Sequence, residues 1–558
     1  MSLRLRPLAA VALIACTAPL AAQRSAAPDL IVTNARIYTA DDARPTAQAF
    51  AVRAGRITFV GTDADALKLK DASTKVVDAG GRAIIPGMTD AHAHLTGLGQ
   101  ALRIVDLTGT KSYDELIERV VARAKTLPAG AWVTGRGWDQ NAWPGKRFPT
   151  HDALSRAVPG QPVLLTRVDG HAVLANAKAM DVARVDATTK DPDGGRIERD
   201  ANGNPTGVFV DNAMRLVGRM VPDPSRDDVR EMTLAAIAEC NRWGLTGVHD
   251  AGEGKEAIGV YEELAKSGRY NLRNYVMISD GPGLDAFLTQ APKSALYNGR
   301  IWLRSVKLYA DGALGSRGAA LLDPYSDDPK NLGLLLSSEQ HIYDVSVKAL
   351  RAGYQVNTHA IGDRGNRTTL DAYEKAFAAV PAAKDPRFRI EHAQIIDPAD
   401  IPRFATLHVI PSMQASHQTS DMYWAKERLG EARLAGAYAW RSLLKTGVIV
   451  PNGSDFPVEF VNPLISFHSA VTRQDARNWP AGGWRPQEKM TREEALKSMT
   501  LWPAIASFEE KALGSISVGK YADFVILDQD VMTVAPEKIL ATNVIATYLG
   551  GVAVYERK

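Results

Sequence analysis

The stretch "MTDAHAHLTG" (residues 88–97) places His92 and His94 one residue apart, with Asp90 just before them. Alternate side chains of a strand point to the same face, so a strand that ends here would bring both imidazoles together. Two neutral imidazoles a few ångströms apart form half of a typical metal site. Because two histidines can also simply lie at a polar strand end, a metal site requires further ligands elsewhere in the chain.

Other residues of this kind follow short apolar runs, and these runs alternate with helix-like segments. In chain order the runs are "AIIPGMTDAHAH", "LTGVHDAG" (245–252), "LRNYVMISD" (272–280), "WLRSVKLYADG" (302–312), "YQVNTHAIGD" (354–363), "FRIEHAQ" (388–394), "HVIPSMQ" (408–414) and "VIVPNGSDFPV" (448–458). Eight parallel strands with intervening helices predict an α/β fold of the TIM-type (β/α)8 barrel class. Reactive groups of such barrels lie at the C-terminal ends of the strands.

Six candidate ligands stand at these predicted strand ends: His92, His94, Lys307, His359, His392 and Asp455. The whole chain has only 11 histidines, so four of them at strand ends argue against chance. Imidazoles and a carboxylate suit one or two borderline divalent ions, for which we expect Zn²⁺. Alternation through Ser305, Lys307 and Tyr309 predicts that Lys307 points inward. It is then either an N-carboxylated ligand or an ordinary lysine paired with a carboxylate.

The 558 residues, 45% hydrophobic and 23% charged, predict an ordinary globular protein with two or more structural units. The net charge of +3 is small for this length and gives no indication of a nucleic-acid partner. β-rich runs with Gly and Asp turns occur at both ends of the chain. We therefore expect residues 28–85 and 506–558 to pair as one composite β-sandwich beside a barrel at residues 86–505.

About 150 residues separate the first two predicted strands, far more than an ordinary βα connection. We expect an inserted subdomain at about residues 100–240, with loops that cover the catalytic face. Trp138 and Trp143 would supply apolar walls to a small-molecule substrate there, and Asp139 or His171 polar contacts. Alternatively, the tryptophans pack the core of the insert itself.

The first residues combine Arg4 and Arg6 with an apolar stretch, the layout of a secretory signal peptide at residues 1–22. Cleavage there would release a periplasmic or secreted protein that begins near Gln23. In the alternative, "LIAC" is a lipobox and Cys16 carries a lipid anchor. The stretch is too short to predict an integral membrane span. Without Cys16, Cys240 has no partner for an internal disulfide.

The motifs "PGMTDAHAH", "VKLYADGALGSRGA", "NTHAIGD", "RIEHAQ" and "NGSDFPV", in this order, resemble those of the amidohydrolase superfamily. The amidohydrolase-3 branch, which includes N-substituted formamide deformylases, is the more similar one, and the resemblance spans about residues 28–558. It implies that His92, His94 and Asp455 hold the more buried ion and that His359 and His392 hold the other. Lys307, as a carbamate, would bridge the two ions, although a mononuclear site with an unmodified lysine stays open.

The activity expected from this set is hydrolysis of a C–N, amide-type bond by metal-activated hydroxide, with Asp455 as general acid and base. Lys307 and His171 are the other candidate catalytic residues, and Arg317 is a candidate for binding an acidic substrate group. Esters, lactones or phosphotriesters are alternative substrates, and a non-catalytic metal-binding protein is the alternative outside enzymes. A homo-oligomer is compatible with the sequence. His249 is a weak candidate, and we expect His151, His341, His408, His417 and His468 to be structural or exposed.

Overall fold

The computed structural model describes residues 27–558. The signal segment at residues 1–22 and the alternative lipidation site at Cys16 lie outside the described residues. The described part forms four sheets, of which two make a terminal sandwich, one belongs to an insert and one curves into a barrel. None of the helices in residues 27–558 is both long enough and apolar enough to cross a membrane.

The first part of the chain supplies most of the sandwich. Its elements are β1 (Leu30–Thr33), β2 (Arg36–Tyr38), β3 (Thr46–Ala47), β4 (Ala49–Arg53), β5 (Arg56–Gly61), α1 (Asp63–Leu67), β6 (Lys75–Asp78) and β7 (Ala83–Pro86).

The first barrel strand and its helix come next, followed by the insert. The barrel elements are β8 (Met88–Ala93) and α2 (Leu95–Ala101). Those of the insert are β9 (Val105–Asp106), α3 (Tyr113–Ala124), β10 (Val133–Trp138), α4 (Asp152–Ala157), β11 (Val163–Arg167), β12 (Ala172–Ala175), α5 (Ala177–Ala183), β13 (Gly195–Arg199), β14 (Pro205–Asp211) and α6 (Met214–Gly218).

The remaining chain completes the barrel and returns to the sandwich. The barrel part comprises α7 (Arg226–Arg242), β15 (Leu245–Glu253), α8 (Lys255–Lys266), β16 (Arg273–Ser279), α9 (Leu284–Leu288), β17 (Lys293–Ala295), α10 (Leu296–Gly299), β18 (Ile301–Tyr309), α11 (Glu339–Ala352), β19 (Gln355–Ala360), α12 (Asp363–Ala379), β20 (Arg389–His392), α13 (Ile401–Thr406), β21 (Ile410–Ser412), α14 (Ala415–Asp421), α15 (Ala425–Arg433), α16 (Trp440–Leu444), α17 (Pro463–Thr472), α18 (Arg492–Ser498) and α19 (Leu501–Ala506). The last strands are β22 (Phe524–Leu527), β23 (Val544–Leu549) and β24 (Val552–Glu556).

The sandwich combines both ends of the chain, as predicted. One sheet has the order β5-β4-β1-β6, and the other has the order β24-β23-β22-β7-β2-β3. The two ends join where β22 pairs antiparallel with β7. Phe50 of one sheet meets Phe524 of the other edge to face, with ring centroids 4.9 Å apart, inside a shared apolar core.

The barrel contains seven parallel strands in the order β8-β15-β16-β18-β19-β20-β21. The eighth position is occupied by an irregular segment at residues 450–455. Its Asn452 carbonyl accepts a hydrogen bond from the amide of Ala91 in β8, while the Gly453 amide donates to the Met413 carbonyl beyond β21. This segment therefore connects β8 with the chain that follows β21. The predicted TIM-type barrel is confirmed, with one edge closed by a segment that is not a regular strand.

The insert carries its own mixed sheet, in the order β13-β14-β12-β11-β10-β9. Its register shifts within β10, where Gly137 adopts a φ of +109° between Arg136 and Trp138. This bulge reverses the side-chain alternation. Helix α7, which follows the insert, packs into the core of the barrel through Met232, Ile237 and Cys240, the last a buried free cysteine.

Candidate metal centre

The first candidate ligand group brings His92, His94 and Asp455 together at the C-terminal end of the barrel. One ligand atom from each residue lies within 4.8 Å of the others. Oδ1 of Asp455 is 3.0 Å from Nε2 of His94 and 3.6 Å from Nε2 of His92. The closure of the barrel sets this geometry, since the Asp455 amide donates to the His92 carbonyl at 2.7 Å.

His92 is held by a buried chain of charged groups. Its Nδ1 lies 2.5 Å from Oε2 of Glu391, which in turn accepts a hydrogen bond from Nη2 of Arg389 at 3.0 Å. All three side chains are fully buried. A carboxylate on one ring nitrogen orients an imidazole and leaves the other nitrogen for a metal ion. In this case Nε2 is left, and it faces the centre.

Lys307 lies at the end of β18 with its side chain inside the barrel. Its Nζ is 3.0 Å from Nε2 of His92 and 4.9 Å from the centre of the Tyr309 ring. Burial lowers the pKa of Lys307 to about 8. A larger share of this amine is therefore neutral near pH 7 than in an exposed lysine, and the neutral amine is the form that can be carboxylated.

His359 and His392 lie on the neighbouring strands β19 and β20, with ring centroids 4.5 Å apart. Burial holds the pKa of each well below the ordinary histidine value, so both are neutral and have a free nitrogen lone pair. Nδ1 of His392 is 2.8 Å from Oε1 of Gln414, which leaves its Nε2 free. Nε2 of His359 is buried and has no hydrogen-bond partner in residues 27–558.

His417 was expected to be structural or exposed, but the structure brings it into the centre. It lies on α14, just after the seventh barrel strand, and is 8% exposed. Its Nε2 is 3.7 Å from Oδ2 of Asp455, and its ring stacks 5.8 Å from that of His392. These three residues form the second group of possible metal ligands. In the sequence, the one indication of this role is that His417 lies within a few residues of a predicted strand end.

The donor set fits a divalent metal ion. Within residues 27–558, Nε2 of His359 and Nε2 of His417 are buried and lack hydrogen-bond partners. Buried polar atoms without partners are costly, and a bound metal ion would satisfy these two. Although burial alone would raise it, the imidazoles of His94, His92 and His417 hold the pKa of Asp455 well below its usual range. The carboxylate is therefore ionised, as metal binding requires.

Two predicted residues of the insert, His171 and Asp139, also line the cavity above the candidate metal centre. The His171 ring lies 5.1 Å from that of His359, and its Nδ1 is 2.7 Å from Oδ1 of Asp211. Burial opposes protonation of His171, but the carboxylates of Asp211 and Asp169 outweigh it and raise the pKa. Asp139 forms an ion pair with Arg167, so its carboxylate is already engaged.

Two other predicted substrate contacts do not reach the cavity. Trp138 is fully buried in the core of the insert, where its ring stacks on Trp143. The bulge at Gly137 turns it there, so the alternative of an insert core describes it correctly. Arg317 is paired with Asp327, with 2.9 Å between Nη2 and Oδ2, and lies outside the cavity lining. The weak candidate His249 does not line the cavity either, and its Nδ1 is 2.8 Å from Nη1 of Arg389.

The cavity has a volume of about 1140 Å³ and lies between the barrel and the insert. The strand-end histidines and Lys307 form its floor. Residues 134–137, Asp139, Leu164 and residues 166–171 of the insert form one wall. The opposite wall includes Asp421, Trp424 and Phe460. Cavities of several hundred cubic ångströms suit small-molecule substrates.

Comparisons with known proteins place this architecture in one family. A family model described as the amidohydrolase family matches residues 75–555. The chain is 35% identical over 538 residues to the protein LONG AFTER FAR-RED 3 of Arabidopsis thaliana, covering 94% of this chain and 91% of the relative. It is 29% identical over 549 residues to an N-substituted formamide deformylase of Arthrobacter pascens, covering 95% of this chain and 98% of the relative.

The solved structure of an uncharacterised metal-dependent hydrolase from Pyrococcus furiosus is similar, with a TM-score of 0.71 and 28% identity. The match covers 90% of this chain and 100% of that one. The chain belongs to the amidohydrolase family, and with its candidate His/Asp centre it is a metal-dependent hydrolase.

Proposed function

We propose that this protein hydrolyses a C–N, amide-type bond of a small molecule, with Asp455 as the group that accepts and returns the proton. The position of Asp455 is the main observation in support of this proposal. Its ionised carboxylate belongs to both candidate ligand groups, with Oδ1 toward His94 and Oδ2 toward His417. In this position the Asp455 carboxylate could contact both a metal ion and the reacting atoms of the substrate.

A bound divalent ion, for which we propose Zn²⁺, would lower the pKa of a water molecule and polarise a carbonyl group. His92, His94 and Asp455 would hold one ion, and His359 and His392 a second. Lys307, as a carbamate, would bridge them. Asp455 would take the proton of the attacking water and deliver it to the leaving nitrogen. His171, beside His359 and partnered by Asp211, would face the substrate carbonyl as a hydrogen-bond donor.

Proton delivery favours an amide as the substrate. An amine leaves readily only when its nitrogen is protonated, whereas an activated ester needs no such help. The deformylase of Arthrobacter pascens is a relative whose name states cleavage of an N-substituted formamide. Esters, lactones and phosphotriesters would then be slower side substrates.

The test is a substrate panel with protein loaded with Zn²⁺. N-formyl amines, N-acyl amino acids, aryl esters and phosphotriesters would be assayed at equal concentration, with metal content measured in each sample. We expect the highest kcat/KM among the amides. A higher kcat/KM for phosphotriesters or esters than for every amide would contradict the proposal, as would the absence of amide turnover in a metal-replete sample.

A further inference from the structure

Arg136 is a cavity-lining cation that the metal centre does not use. It lies on β10 of the insert, immediately before the bulge at Gly137, and its side chain borders the cavity. No carboxylate oxygen of residues 27–558 lies within 4.0 Å of its guanidinium. Arg167, on the neighbouring strand, differs in this respect, since Asp139 and Asp169 both pair with it.

The hydrogen-bond donors of Arg136 are only partly satisfied. Nη2 donates to the Val168 carbonyl at 2.9 Å, which anchors one nitrogen of the guanidinium. Nε is buried and has no partner in the described part of the chain. A guanidinium has five N–H donors in a rigid fork, and that fork matches a carboxylate in two parallel bonds. The side chain is therefore held in place with donors unused.

The positive charge of Arg136 is also poorly compensated. Burial lowers its pKa, and the negative charges of Asp455 and Asp169 offset this only from beyond ion-pair distance. An arginine nevertheless stays protonated at every pH at which the protein is folded. A partly desolvated cation without a partner costs stability, and such arrangements persist where a ligand supplies the missing charge.

The guanidinium of Arg136 packs against Gly170, the sequence neighbour of His171, and all three residues line the cavity. A Cβ atom on Gly170 would be only 3.3 Å from Nη2 of Arg136, so the two residues pack directly together. The next residue is His171, whose ring contacts that of His359. A substrate of amino-acid size could thus touch the strand-end centre and Arg136 together.

We propose that Arg136 binds a carboxylate of the substrate, which makes N-acylated amino acids the substrate class. This inference rests on the proposed C–N hydrolysis and adds that the leaving amine carries a carboxylate. The bulge at Gly137 is what allows the arrangement: it leaves Arg136 on the cavity side and sends Trp138 into the core.

The experiment compares matched amides that differ only in the carboxylate. N-acetylphenylalanine and N-acetylphenethylamine, and the corresponding N-formyl pair, would be assayed with the wild type, Arg136→Met and Arg136→Lys. The wild type should prefer the acid. Arg136→Met should lower the ratio of kcat/KM between acid and neutral amide about 30-fold or more, the usual effect of removing one partner of a buried ion pair. Arg136→Lys, which keeps the charge but not the fork, should give an intermediate ratio.

Arg196→Met is the matched control, because Arg196 belongs to the same insert but is already paired with Glu198. It should leave the acid-to-neutral ratio unchanged. Equal effects of Arg136→Met on both amides, or a wild-type preference for the neutral amide, would overturn the proposal. If Arg136→Met does not fold, the acid-to-neutral ratio of kcat/KM would be measured for Arg136→Lys and Arg136→Gln instead, and a ratio equal to that of the wild type in both would overturn the proposal.

Thermal shift separates failure of this inference from failure of the proposed function. If the metal-loaded wild type cleaves neither amide, N-acetylphenylalanine should still raise its Tm and should not raise that of Arg136→Met. That result would support the carboxylate site while rejecting the reaction. If N-acetylphenylalanine shifts the Tm of both proteins equally, or shifts neither, the proposed carboxylate site is rejected.

Discussion

Asp455 is the residue on which most of the proposed chemistry depends. Its backbone has a φ of +60°, a conformation that no regular strand adopts, and its amide is bonded to the His92 carbonyl. This geometry turns the carboxylate inward, toward His94 and His417. The backbone strain is consistent with a functional position.

Asp455→Asn should lower kcat by about 10² to 10⁴-fold, with a much smaller change in KM, because the amide cannot accept the proton of the attacking water. Steady-state kinetics on the best amide substrate, at equal metal content, would measure this. A variant that keeps half or more of the wild-type kcat would show that the proton is handled elsewhere.

Lys307→Ala should reduce the amount of bound metal, because the oxygens of the proposed bridging carbamate would be lost. Short carboxylic acids such as acetate should occupy the vacated space and partly restore both metal content and activity. Elemental analysis with and without acetate, together with the amide assay, would test this. Two equivalents of bound metal and normal turnover without added acid would refute the bridging role.

The strand-end residues could be predicted from residue type and position, because H-x-H and the later single histidines follow short apolar runs. His417 could not be ranked in this way. It follows the seventh run by a helical turn, and only the folded start of α14 shows that its ring faces Asp455. The role of Glu391 cannot be predicted from the sequence, because a carboxylate inside a strand does not show which histidine it contacts in the folded chain.

At the scale of elements, the barrel is closed by a segment without regular strand geometry. Gly453 lies where this segment crosses β8. A Cβ atom there would be 2.5 Å from the His92 amide nitrogen and 2.7 Å from Oδ1 of Asp90. Both atoms belong to buried, hydrogen-bonded groups that cannot move freely. A glycine is therefore required for Asp455 to reach the centre.

Gly453→Ala should destabilise the protein by about 1 to 3 kcal/mol, as overpacking does, and should also lower kcat by displacing Asp455. Urea denaturation and the amide assay would measure the two effects. Gly160→Ala is the control, since a Cβ atom at Gly160 has nothing within 4 Å. Equal stability and activity of the two variants would contradict this role of Gly453.

The insert shows where prediction from periodicity fails. Its existence followed from the long gap between the first two strands, but the orientation of its residues did not. A single bulge at Gly137 inverts the two faces of β10 after Arg136, and a glycine in a sequence can mark a turn, a bulge or a close contact equally well. Periodicity alone therefore leaves two positions open for Trp138, the cavity wall and the core of the insert, and it does not mark Arg136 as a residue of the cavity.

At the scale of the whole molecule, the sandwich is fastened to the end of the barrel opposite the metal centre. Arg273, at the start of β16, forms a buried ion pair with Asp523, just before β22. Glu509 lies in the same region and is 6% exposed. Burial raises its pKa to about 8, and its Oε1 has no partner in the described residues.

Glu509 should make the protein less stable as the pH rises. Its folded-state pKa exceeds the ordinary value of 4.5, so the folded protein keeps a proton that the unfolded chain releases between about pH 4.5 and 8. The free energy of unfolding should fall there by up to about 1.4 kcal/mol per pH unit. Glu509→Gln, neutral at every pH, should show a smaller fall in urea denaturation. The exposed Glu493→Gln is the control, and identical pH profiles for both variants would contradict the assignment.

A metal titration tests most directly whether the strand-end cluster is a metal centre that cleaves an amide bond. Chelator-treated protein would be titrated with Zn²⁺ while bound metal and hydrolysis of the best amide are measured in the same samples. Activity should be absent without metal and should rise with bound Zn²⁺ to a plateau at one or two equivalents. Full amide hydrolysis by protein that elemental analysis shows to be free of transition metals would contradict the claim.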